Sequence, residues 1–202
     1  MDKVIVTINR QFCSGGNYIG KTLSERLEVP FYDKELVNLA AKEAGYAESA
    51  FEKVDEVATN SLLYSLIMGV HNSTQTGILP DNDKLFNIQA NIIREAAKEG
   101  SCVVLGRCSN YILRDVKPLV RIFLKADMDF RADRYNKLYD APEKGTVEEA
   151  IEKRDKKRAS YFKFYTGHRW DGIENYDLVI NTAKVGLDNA ADMIMDYINK
   201  LV

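Results

Sequence analysis

Residues 4–27 constrain the fold of this 202-residue chain more than any other stretch. Val4-Ile5-Val6-Thr7-Ile8 is a largely apolar, β-branched run of strand length. Ser14-Gly15-Gly16 follows, and then Ile19, Leu23 and Leu27 recur at i, i+4 and i+8 on one face of a helix. A buried strand, a glycine loop and an amphipathic helix make half of a βαβ unit. Such a unit commits a chain to a parallel sheet that needs cover on both faces.

The rest of the chain continues the alternation. Further strands are expected at residues 29–33, 102–105, 119–124 and 178–180. Helices are expected at 33–44 (closed by Gly45), 84–99 (stopped by Gly100), 128–138, 146–165 and 187–201. Residues 47–70 read as helical, in one or two pieces, and 72–83 as a loop carrying Gly77 and Pro80. The expected fold class is α/β, a three-layer fold with a five-stranded parallel sheet and helices on both faces. Its ligands belong at the carboxyl ends of the strands. The length fits one domain over residues 1–202, a five-stranded core plus a helical insert at about residues 47–83.

Charge and cysteine usage exclude several classes. Twenty-eight Lys and Arg against 30 Asp and Glu leave a net charge of −2, which argues against a surface that grips nucleic acid throughout. Cys13, Cys102 and Cys108 are odd in number and form no C-x-x-C pair, so neither a disulfide scaffold nor a zinc site is expected. All three read as small apolar residues in a reducing compartment. No basic leader opens the sequence, and the most apolar window, residues 62–70, is far shorter than the ~20 residues of a membrane span. A cytoplasmic protein is expected, and that apolar window leaves room for a homodimer.

A strand, a glycine loop and a helix point backbone N–H groups at a phosphate. Gly15-x-x-x-x-Gly20-Lys21-Thr22 matches the pattern G-x-x-x-x-G-K-[ST] literally, but Gly15 lies seven residues past Ile8. A second register fits better. It puts Arg10 at the first glycine position, Cys13, Ser14 and Gly15 within the loop, and the helix start near Asn17. Gly16 then takes the place of the phosphate lysine, Asn17 that of the hydroxyl residue, and Tyr18 and Lys21 lie on the helix. The registers disagree on where the first strand ends. In the second, a guanidinium stands at the loop mouth, where it can fork onto phosphate oxygens. Arg10, or one of the arginines farther along, then substitutes for the lysine; the alternative is that Arg10 pairs with a surface carboxylate.

Between residues 151 and 169, seven Lys/Arg face two Asp/Glu, so this segment carries +5 and the rest of the chain −7. Arg154 and Arg158 share a helix face, as do Arg131 and Arg134. Concentrated cations suit a phosphate-bearing ligand; the alternative is a solvated helix with ion pairs such as Glu152 with Lys156. The aromatics Tyr161, Phe162, Phe164, Tyr165 and Trp170 are expected to pack this helix onto the body. They could also form a stacking wall for a nucleobase or a single strand. His168 reads as a surface or hinge residue, His71 as a cap or core edge, and Asp177 as a turn residue.

Several stretches together resemble the cytidylate kinase-like family of bacteria. They are Ile8-Asn9-Arg10-Gln11-Phe12-Cys13-Ser14-Gly15-Gly16, Pro30-Phe31-Tyr32-Asp33-Lys34-Glu35-Leu36, Val103-Val104-Leu105-Gly106-Arg107, Lys153-Arg154-Asp155-Lys156-Lys157-Arg158-Ala159 and Tyr176-Asp177-Leu178-Val179-Ile180-Asn181-Thr182. The resemblance implies a P-loop nucleoside monophosphate kinase fold, with the insert as monophosphate-binding region and a lid at about residues 140–170. It implies transfer of the γ-phosphoryl of ATP, with Mg²⁺, to CMP, dCMP or a related small acceptor. By the same likeness Arg107 and Asp33 handle the acceptor, and Arg131, Arg134, Arg154 and Arg158 belong to the basic lid and its approach. Leu105 stands where ordinary relatives carry an acid. A nucleotide-binding sensor with weak or lost activity is the second candidate function, and a nucleic-acid binder using residues 151–169 the third.

Overall fold

The protein is described by a computed structural model over residues 3–43 and 81–201. β1 (Ile5–Arg10), β2 (Phe31–Tyr32), β3 (Cys102–Leu105), β4 (Leu119–Lys125) and β5 (Leu178–Asn181) form one sheet in the order β2-β3-β1-β4-β5. All four pairings are parallel. The helices are α1 (Gly16–Leu27), α2 (Lys34–Glu43), α3 (Asp81–Glu99), α4 (Ser109–Ile112), α5 (Met128–Leu138), α6 (Val147–Thr166), α7 (Thr182–Val185) and α8 (Leu187–Asn199).

Successive strand residues point to opposite faces, and here both faces are dry. Val6, Ile8, Val103 and Ile122 pack with Ile19 and Leu23 of α1 and Ile194 of α8. Ile5, Val104 and Phe123 belong to the other core, with Ile92 and Ala96 of α3 and with Phe162 and Trp170. The expected three layers are present. β1 sits between β3 and β4, so the carboxyl ends of these strands meet where the strand order reverses, the usual place for a ligand crevice in such sheets.

β1 continues to Arg10 instead of stopping at Ile8. The extension includes a buried asparagine because its amide is satisfied: Asn9 Nδ2 donates to Asn110 Oδ1 (2.9 Å) and to the Tyr176 hydroxyl (3.1 Å). Arg10 still pairs with Leu124 of β4. The strand end decides between the two registers. Gly20, Lys21 and Thr22 lie inside α1, and Arg10 is the last strand residue before the loop.

The expected loop at 72–83 is corrected at its end, since Asp81, Asn82 and Asp83 begin α3. The Asp83 carboxylate, in the first turn, suits the positive end of a helix macrodipole, which a search for turn formers overlooks. The expected helices at 47–70, Gly45, His71 and the apolar window 62–70 lie outside the described residues. Helix α6 starts where Thr146 and Glu149 form a reciprocal capping box, and it stops at Gly167 (φ 75°). Among the described residues no helix is long and apolar enough to cross a membrane.

Candidate functional site

The loop between β1 and α1 is tied down from behind. The Gln11 amide donates to the Leu124 carbonyl (2.9 Å), and the Gln11 side chain accepts from the Ala126 N–H (2.9 Å). The Ser14 hydroxyl is buried and donates to the Gln11 carbonyl (2.8 Å), so it faces the protein rather than the loop mouth. Thr182 Oγ1 donates to the Ser14 carbonyl (2.8 Å) from the end of β5. Cys13 (φ 62°) and Gly15 (φ 91°) are left-handed and curl the loop. Among the described residues, the N–H groups of Cys13, Gly15, Gly16, Asn17 and Tyr18 meet no acceptor. Free amides in a curled loop at the head of a 12-residue helix form an anion-binding nest.

Helix α6 lays its arginines on this loop. Arg158 donates to the Arg10 carbonyl (2.9 Å), and the Arg154 guanidinium lies 4.3 Å from the Phe12 ring centroid, with Arg158 at 5.3 Å. Asp155, between them, accepts from the Phe12 N–H (2.6 Å) and pairs with Arg131 (2.5 Å), so one carboxylate joins the loop, α5 and α6. Arg131 is thus buried in an ion pair, while Arg134 lines the cavity over the loop. The basic segment divides. Arg154 and Arg158 turn toward the loop, whereas Lys156 is exposed and pairs with Glu152 (3.6 Å), as the ion-pair alternative expects.

Arg107 follows β3 in a turn of three consecutive left-handed residues, Gly106, Arg107 and Cys108. It donates to Asn38 Oδ1 (2.8 Å), which also accepts from Gln89, and Tyr161 donates to Gln89 in turn (3.3 Å). Asp33 caps α2, with Oδ1 accepting from the N–H groups of Glu35 and Leu36 (both 3.0 Å).

Two cavities adjoin here. The larger, about 820 Å³, lies over the loop and reaches Lys21, Asp33 and Arg134. The smaller, about 480 Å³, lies over Arg107, Cys108 and Tyr161. Arg10, Lys34, Leu105, Arg154 and Arg158 line both and form the common wall. Arg107 and Asp33, expected together on an acceptor, line different cavities. Tyr18 is occupied at the rim, donating to Asp188 (2.6 Å).

The electrostatics suit an anion and not a nucleophile. Burial pushes the Cys13 thiol up to about 11 despite the surrounding arginines, and Cys102 and Cys108 up to about 12. Burial and the neighbouring guanidiniums of Arg158 and Arg107 push Arg10 down to about 9, which leaves it charged at neutral pH. Magnesium fits the described residues poorly. Leu105 is buried and apolar, Asn17 replaces a hydroxyl, and one Asp33 oxygen is committed to α2. Among the described residues no three His, Cys, Asp or Glu come together to hold a metal.

Sequence reasoning missed Phe12, Asn38, Gln89 and the bridging role of Asp155. An aromatic inside a glycine loop and a lone acid in the basic run Lys153–Arg158 were the available signals; Asn38 and Gln89 gave none. The aromatic packing appears as expected for Phe162, Trp170 and Tyr165, which stacks on Phe86 at 3.9 Å, but Phe164 is 74% exposed. His168 is exposed, and Asp177 pairs with Arg121 (2.6 Å) just before β5.

A family model described as the cytidylate kinase-like family matches residues 5–184. A cytidylate kinase of Methanocaldococcus jannaschii is 28% identical over 109 residues, 53% of this chain and 61% of that protein, so the match spans less than two thirds of that relative. A cytidylate kinase of Pyrococcus horikoshii is 27% identical over 188 residues, 91% of this chain and 82% of the relative. Among solved structures, an uncharacterized protein from Eubacterium ventriosum superposes with a TM-score of 0.74 at 29% identity, covering 98% of this chain and 99% of that one. A shikimate kinase from Bacteroides thetaiotaomicron shares the fold, at TM-score 0.56 and 12% identity over 97% of this chain and 98% of its own. The expected P-loop kinase fold is therefore present.

Proposed function

The chain belongs to the cytidylate kinase-like family, and from that premise we propose that it is a nucleoside monophosphate kinase, moving a phosphoryl group from ATP to CMP, dCMP or a related small acceptor. The observation that carries the proposal is the pair of adjoining cavities with a common cationic wall. Phosphoryl transfer asks little covalent chemistry of a protein. It asks for two ligands held in line, cations around the equatorial oxygens, and exclusion of water. The free amides of the loop and of α1 take the donor phosphates, with Asn17 at the edge. Arg107, braced by Asn38, takes the acceptor phosphate. Arg154 and Arg158 stand between the two, where charge develops on the transferring group. Arg131 and Asp155 act behind them as positioning residues.

An ATP-consumption screen against the common nucleoside monophosphates tests the proposal. Turnover with CMP or dCMP is the expected result. ATP binding without turnover on any acceptor would instead support a nucleotide sensor, the reading that buried Leu105 favours.

A further inference from the structure

We infer that Arg10 supplies the positive charge on the donor phosphates that a lysine at the start of α1 would supply in an ordinary phosphate loop, the cation and the glycine having exchanged places between Arg10 and Gly16. The inference rests on the kinase proposal and deepens it. Its evidence is steric. A Cβ on Gly16 would lie 2.6 Å from Arg10 Cγ, 3.1 Å from Cβ and 3.3 Å from Cδ. The aliphatic stem of Arg10 therefore crosses the space through which a lysine at position 16 would leave the helix. A Cβ on Gly106 would lie 2.3 Å from an Arg10 guanidinium nitrogen. Two glycines, one on each side of the strand-order reversal, make room for this one side chain.

The guanidinium ends where a transferred group would pass, on the wall common to both cavities. Among the described residues no carboxylate lies within 4.0 Å of it, which removes the alternative of a surface ion pair. Arg158 and Arg107 instead press like charge on it, while Asp33 and Asp155 oppose them weakly. A planar fork of donors without a counter-ion, among other guanidiniums, is suited to a phosphate that accepts two parallel hydrogen bonds. Lys21, which the literal motif would make the phosphate lysine, sits exposed within α1.

Calorimetric binding of ATP, pyrophosphate and adenosine to the full chain tests this with three variants. Arg10→Met keeps the stem over Gly16 and removes the charge. It is expected to lose at least about tenfold in affinity for ATP and for pyrophosphate, with adenosine unchanged, as fits loss of a charge-assisted contact. Lys21→Met is expected to change ATP affinity by less than about threefold. The double variant Arg10→Gly/Gly16→Lys rebuilds the ordinary arrangement and is expected to recover most of the loss. The inference is overturned if Arg10→Met binds ATP and pyrophosphate as the parent does, or if Lys21→Met carries the loss. Pyrophosphate separates the two levels. If the parent binds pyrophosphate through Arg10 but turns over no nucleotide, the kinase proposal fails and the exchange stands.

Discussion

Replacing Asp155 with Asn should show that α6 and the loop between β1 and α1 are one mechanical unit. Asp155 holds two donors at once, the Phe12 N–H at 2.6 Å and Arg131 at 2.5 Å, and its side chain and that of Arg131 are only 16% and 8% exposed. The asparagine is nearly isosteric, but its single acceptor oxygen can serve one of those donors, and it carries no charge. Arg131 is left buried and unpaired. Removing one partner of a buried ion pair costs about 3–5 kcal/mol, and the acceptor that remains puts Asp155→Asn at the lower end, about 3 kcal/mol. For a chain of this size each kcal/mol lowers Tm by about 2–4 °C, so a drop of roughly 6–12 °C is expected. Thermal unfolding followed by circular dichroism reads it directly. The double variant Asp155→Asn/Arg131→Met, which removes both charges and keeps an acceptor for the Phe12 N–H, should recover more than half of the loss, because no charge is left stranded. A Tm for Asp155→Asn within about 2 °C of the parent would refute the reasoning.

Three further outcomes are expected. Thr182→Val removes the hydroxyl that donates to the Ser14 carbonyl and to the Lys125 carbonyl (3.2 Å), and should cost about 1–2 kcal/mol in urea unfolding while weakening ATP binding. Arg10, pushed down to about 9 by burial and the neighbouring guanidiniums, costs stability in its charged form, a cost fully present below pH 9 and relieved progressively as pH rises above it. Arg10→Met should therefore be more stable than the unliganded parent at pH 7, by roughly 1–2 kcal/mol after solvent screening of a part-exposed group, with the gain shrinking by pH 10 in denaturant titrations. Chelating Mg²⁺ should lower ATP affinity by less than about tenfold in calorimetry, since guanidiniums and amides rather than paired carboxylates face the phosphates.

The scaffold was legible because its signals are local and periodic. The β-branched run after Val4, the spacing of Ile19, Leu23 and Leu27, and Gly100 as a stop each act through neighbours in sequence. The helix start was legible to within a residue, near Asn17 against the observed Gly16. The site was legible only in part. Arg154, Arg158 and Arg107 stand on its walls, as their spacing and motifs suggested. Asp155 read as one more residue of a charged run, because its bond to Phe12 spans 143 residues and nothing in the local text records it. Asn9 read as lying past the strand for the same reason, its partners being Asn110 and Tyr176.

The loop between β1 and α1 is written within the first sixteen residues, yet much of what shapes it lies far away in the sequence. Its carbonyls and amides are held by Leu124, Ala126, Asp155 and Thr182. During synthesis from the N-terminus, the glycines emerge first and wait for the last of these anchors, Thr182, until nearly the whole chain has been made. Three of these anchors come earlier, but the Ser14 carbonyl waits for its Thr182 donor until β5 docks beside β4. Under the proposed function, phosphate binding becomes a report on completed folding: a chain truncated before Thr182 keeps the whole glycine motif and lacks the hydroxyl that holds the Ser14 carbonyl.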